Sequence, residues 1–191
     1  MNYQFMIPPF EIIPFQNMSK KQADQYYRWF LVEKGNRVQL LEQYVTQFDD
    51  SIVLDYSIDS LVNLWRWFET QIEWEDKTED ELINERIIRP KEFKDVVPYN
   101  KKKLTVLTSA LCMDISIYFG EMIIANNPTI YWGYKTSPKG LDGVNRPLLL
   151  GFSHGISVFP YTLIQVLTRK SSREKDEKRL YDLYLKWCEN I

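Results

Sequence analysis

The sequence predicts an α+β fold: a helical N-terminal half gathered round one long buried helix, followed by a small antiparallel sheet and a closing helix. Three observations carry this expectation. Apolar residues recur at helical spacing through most of the N-terminal half; the stretch LTVLTSALCMDISIYFGEMIIANN is apolar on nearly every side; and beyond Pro128 the composition turns to aromatic and aliphatic runs separated by turn dipeptides. One domain is expected, with 1–18 as an extended arm, 19–127 mainly helical, 128–168 a small sheet and 172–191 the closing helix.

The elements follow in order. Pro8, Pro9 and Pro14 hold the first segment extended, so that Phe10, Ile12, Ile13 and Phe15 lie along the body. Ser19 and Gln22 form a capping box for a first helix, with Ala23, Tyr26, Tyr27, Phe30 and Leu31 on its apolar face. Gly35 is expected to end that helix, and a second one from Asn36 carries Val38, Leu41, Tyr44, Val45 and Phe48, giving an antiparallel pair. SIVLDYS reads as an extended connection or an edge strand. Ser57 or Asp59 caps a third helix, whose stripe of Leu61, Leu64, Trp65, Phe68 and Ile72 faces the core while Trp67 and Trp74 fall off it. The charged run from Glu73 to Asn100 holds a second capping box, Thr78 with Glu81, and a short helix through Ile88 that Pro90 stops; it is either a solvated connection or a lid.

The long apolar helix then runs from about Leu104 to Ala125, with Thr105, Ser109, Cys112, Ser116 and Gly120 forming a ridge of small side chains that another helix can approach closely. TIYWGYK and PLLLGFS read as two strands joined by the loop KTSPKGLDGVNR. GISVFPYTLIQVLT continues in β-like residues, with Pro160 breaking or edging it. The last helix presents Leu180, Tyr184, Trp187, Cys188 and Ile191 on one face.

Composition narrows the function. Net charge is −2, which gives no general attraction to nucleic acid or an anionic membrane. Two cysteines, Cys112 and Cys188, both within helical patterns, suit a reduced chain rather than a disulfide framework. The opening MNYQFMIPPFEIIPF has no basic leader, and the apolar runs fall short of the roughly 18 residues a membrane span needs. A cytoplasmic protein is expected. The 15% aromatic content implies a core built of large rings, some with polar ends at its edge.

Catalytic candidates are few. Asp114 and Glu121 lie seven residues apart on one face of the long helix, a separation of about 10 Å along its axis, wide for shared chemistry. One reading pairs them, with the single histidine, His154, in a hydrolase-like site. The other has each acid answer a buried donor such as Arg146, a tryptophan indole or a backbone N–H. In GFSHG, Ser153 neighbours His154 and so points to the other face of a strand, and the segment lacks the spacing of a nucleophile elbow. It reads as a turn, and no catalytic residue is assigned. No spacing of His and Cys suits zinc, an oxygen-rich site around Asp114, Glu121 and Asp142 is disfavoured, and PKGLDG lacks the end of a phosphate loop. No metal and no cofactor are expected. The candidate binding residues are Trp132, Tyr134, Lys135, Arg146 and His154, in and around a long hairpin loop, because aromatic and arginine side chains dominate recognition surfaces.

Through YFGEMIIANNPTIYWGY followed by NRPLLLGF, with SIDSLVNLWRWF and MSKKQADQYYRWFL earlier, the chain resembles a group of uncharacterised cytosolic proteins from Firmicute bacteria. The resemblance covers most of the chain and implies a bacterial, cytoplasmic setting but no site. Some small acidic bacterial proteins of comparable build look like immunity partners of toxins. The leading expectation is a non-enzymatic binding or regulatory protein, with a protein partner or a second copy of itself.

Overall fold

A computed structural model describes residues 3–89, 99–139 and 143–191, and its architecture is α+β. Helix α1 spans Lys20–Val45, α2 Ile58–Gln71, α3 Glu79–Ile88, α4 Val106–Asn126, α5 Pro160–Ser171 and α6 Arg179–Cys188. Strands β1 (Trp74–Asp76) and β2 (Lys102–Leu104) bracket α3, and β3 (Tyr131–Gly133) pairs with β4 (Leu148–Leu150).

The expected pair of N-terminal helices is one continuous helix. Ser19 and Gln22 do form the capping box, but Gly35 does not end α1. The buried residues Ala23, Tyr26, Phe30, Arg37, Val38, Leu41, Tyr44 and Val45 keep a single helical stripe through it. Burying that stripe outweighs the cost of about 1 kcal/mol for an interior glycine.

Helix α4 is the axis. Thr105 caps it through the Thr108 N–H, and Leu111, Ile115, Ile117, Tyr118, Phe119 and Ile123 are buried along it. Helices α1, α2 and α5 pack around it, and α6 closes against α2. In length and apolar character α4 could cross a membrane, which departs from the expectation that no segment would; 67% of its most apolar window is covered by the rest of the chain, as befits a core helix. The ridge of small residues is divided between two neighbours. Cys112 Sγ lies 3.4 Å from Thr168 Oγ1 on α5. A Cβ on Gly120 would stand 2.3 Å from the Trp132 ring, so only glycine lets β3 seat its indole there.

SIVLDYS is an extended connection whose Ile52 and Leu54 enter the core, and Ser57 caps α2 by accepting from the Ser60 N–H. The Thr78–Glu81 capping box starts α3 as expected. Pro90, Gly140 and Asp142, singled out in the sequence, lie outside the described residues.

The sheet expected over 128–168 is shorter than that. β3 and β4 pair with Trp132 opposite Leu149, and a single bridge from Leu149 to Val158 extends them. From Pro160 the chain is helical. Proline at the first position of a helix needs no N–H partner and arrives with a suitable φ. The period of Pro160, Ile164, Leu167 and Ser171, all buried, overrides the β-like composition. The closing helix begins at Arg179, later than expected, after a turn through 172–178.

Candidate functional site

The two acids of α4 are both held internally. Asp114 is fully buried and takes two parallel hydrogen bonds from Arg37, Nε to Oδ1 at 2.8 Å and Nη2 to Oδ2 at 2.5 Å. The Tyr3 hydroxyl donates to the same Oδ2, and the Tyr3 ring lies under the Arg37 guanidinium, 5.5 Å from ring centre to Cζ. Burial pushes the Asp114 carboxyl above its ordinary range against the pull of Arg37 and Tyr3. Burial works to lower Arg37, yet its bonds to Asp114 raise it on balance, so its positive charge is secure. Glu121, about two turns further along, accepts from Lys34 Nζ at 2.6 Å and from the Trp132 indole N–H at 2.5 Å.

Of the donors anticipated for these acids, the tryptophan indole is realised at Glu121 and Arg146 is not used. Arg37 was legible in principle. It stands seven residues from both Phe30 and Tyr44 on the buried stripe, and a cation on such a stripe asks for a buried anion. Tyr3 and Lys34 gave no such signal.

Besides Asp114, a second acid is buried, on α2, and it carried no signal in the sequence. Glu69 on α2 accepts from the Trp65 indole, the Ser171 hydroxyl and the Asp176 N–H, tying α2 to the turn after α5. The Cys112 thiol is pushed up to about 12 by burial, far from a reactive thiolate. His154 sits exposed in a 3-10 turn, Ser153–Gly155, with φ 57°. Its neighbour Ser153 donates to the Asn190 carbonyl at 2.7 Å. Among the described residues no group of three His, Cys, Asp or Glu side chains could hold a metal.

The five binding candidates separate. Trp132 and Arg146 meet at one apolar pocket of about 50 Å³, lined also by Phe15, Tyr26, Phe30 and Tyr161 among others. Tyr134 instead packs on Tyr27 of α1 and donates to Asp24 at 3.3 Å. Lys135 bonds Ser157 at 3.3 Å, and His154 is on the outer turn.

The pocket is built from segments far apart in the sequence. The arm delivers Phe15, pinned because Asn145 donates to the Phe15 carbonyl at 2.7 Å. Helix α4 supplies Met113, Ser116 and Ile117 as the floor, and the start of α5 supplies Tyr161. Arg146 lies over two rings, its Cζ 4.4 Å from the Phe15 centre and 5.2 Å from that of Phe159. Phe15 and Phe159 carried no functional signal in sequence, because their partnership exists only once the arm is folded back.

Against protein-family models, curated proteins and solved structures, the chain finds no match.

Proposed function

We propose that this chain is a non-enzymatic binding protein of a bacterial cytoplasm, regulatory or immunity-like in role, rather than a hydrolase. The observation that supports the reading most is the state of its two central acids. Arg37 and Tyr3 take up Asp114, while Lys34 and Trp132 take up Glu121. A general acid or base needs a hydrogen-bonding direction open to its substrate. Each of these carboxylates instead serves to hold α4 to α1, to the arm or to β3. A binding role accords with the Arg146 pocket, which among its described residues combines an apolar floor with one cation and joins two of the residues expected to recognise a ligand.

Incubating the chain with a bacterial cytosolic extract tests the reading. Native mass spectrometry is expected to show a retained ligand, partner or second copy. Untargeted mass analysis of the small molecules is expected to show no product whose formation stops with Glu121→Gln or Asp114→Asn. A product that depends on either acid would replace this reading with the hydrolytic one.

A further inference from the structure

We propose that the pocket beside Arg146 binds a small aliphatic carboxylate, with the hydrocarbon end among Phe30, Met113, Ile117 and Trp132 and the anion on the Arg146 guanidinium. The proposal rests on the binding reading above and gives its ligand a chemistry.

Charge comes first. Arg146 forms no ion pair with any described residue, and none of the described residues lining the pocket is acidic. Phe15 and Phe159 meet the guanidinium as rings, 4.4 and 5.2 Å from their centres to Cζ, and offer its N–H groups no oxygen acceptor. Those donors are left for an anion, and arginine takes a carboxylate through two parallel bonds.

Two phenols add to it. Tyr26 and Tyr161 both line the pocket, and the charge of Arg146 acts on both phenol groups, opposing the upward push that burial gives their pKa values. They remain neutral O–H donors. The Tyr26 hydroxyl meets no hydrogen-bond partner among the described residues, and that of Tyr161 accepts from Gln165 at 3.0 Å, which leaves its own proton to give. Helix α5 opens on the same rim with no side-chain cap, so its positive end reinforces the field.

Size selects the rest of the ligand. A volume of about 50 Å³, at roughly 10–15 Å³ for each water-sized probe, admits about three to five non-hydrogen atoms. A branched alkyl group fits inside; an aromatic ring or a nucleoside does not. The apolar floor would leave a polar body unpaired, and an uncharged ligand would leave the guanidinium without its counter-charge.

Calorimetric titration of the intact chain with 3-methylbutanoate tests this, alongside 3-methylbutanamide, which keeps the shape and loses the charge, and acetate, which keeps the charge and loses most of the body. The acid is expected to bind at millimolar concentration or better, and each control about tenfold or more weaker. Arg146→Gln and Met113→Phe, the latter filling the floor while leaving the cation in place, are each expected to cost about tenfold or more in affinity. Circular dichroism verifies folding. If Arg146→Gln unfolds through loss of its clamp on the arm, Met113→Phe and the amide comparison still decide. Equal binding of acid and amide, no binding of the acid, or binding only of a short peptide with a free C-terminal valine would each overturn the proposal. Failure here removes the ligand and leaves the binding reading standing, whereas a Glu121-dependent product removes that reading whatever this titration gives.

Discussion

The described residues form two small antiparallel sheets of the same size, three residues against three, held together by opposite means. In β1 and β2, Glu75 faces Lys103, and their side chains pair at 3.2 Å. Lys103 also reaches Glu81 on α3 at 2.6 Å, while Lys77 and Arg89 both hold Glu85 at 2.5 and 2.8 Å. In β3 and β4 the register sets Trp132 against Leu149, both buried, with Gly120 of α4 beneath the indole. One sheet is a net of charges near water; the other belongs to the core. Exposed ion pairs contribute little and are screened by salt, whereas buried apolar contacts contribute several kcal/mol per residue. Damage to β3 and β4 should therefore unfold the whole chain, and damage to β1 and β2 should loosen only its own neighbourhood.

Four experiments would break or sharpen that contrast. The largest effect is expected for Leu149→Ala, which empties a fully buried site; urea unfolding should show a loss of about 2–5 kcal/mol. Next is Gly120→Ala. Its new methyl would strike the Trp132 ring, with an expected cost of about 1–3 kcal/mol and a shift in tryptophan fluorescence as the indole leaves Glu121. A wild-type midpoint for either variant would mean that β3 is not part of the cooperative core.

Acid comes third. The bond from Lys103 holds Glu81 below its ordinary pKa of 4.5, and the bond from Lys77 does the same for Glu85. Because both are depressed on folding, their stabilisation is complete above about 4.5 and is lost as pH falls through the lower folded values. Amide exchange, corrected for intrinsic rates, should accelerate in β1, α3 and β2 across that window while β3 and β4 stay protected. Simultaneous loss in both sheets would contradict the contrast. The smallest effect is expected for Lys103→Met: an unfolding midpoint indistinguishable from wild type, with faster exchange confined to α3 and its flanking strands, and a smaller response to added salt there than in wild type.

The same contrast explains what the sequence could and could not reveal. β3 and β4 were legible because core strands must be aromatic and aliphatic, and α4 because a helix wrapped on all sides is apolar on all sides. β1 and β2 were not, since WED and KKL carry no apolar alternation and gain their pairing from charges placed together only by the fold. Gly35 and Pro160 misled for a related reason. Each is a local breaker by habit, yet the buried stripe of α1 runs through the first and α5 begins at the second. Of the candidate site, Trp132 and Arg146 could be found by residue type; Phe15, Tyr26 and Tyr161 arrive from distant segments, and nothing in a linear pattern says that they converge. Arg37 was the missed clue, a lone cation on an apolar face whose answer was the acid already noticed on α4.

The bond from Tyr3 to Asp114 spans 111 positions. On a ribosome, the tyrosine leaves the exit tunnel long before its acceptor is translated, so this bond cannot close until α4 has emerged. That bond fastens late, as a latch drawn from the arm to α4, on the same arm whose Phe15 walls the space beside Arg146. Any foreign sequence fused ahead of Tyr3 would thus tug on the closing step of assembly rather than on its first.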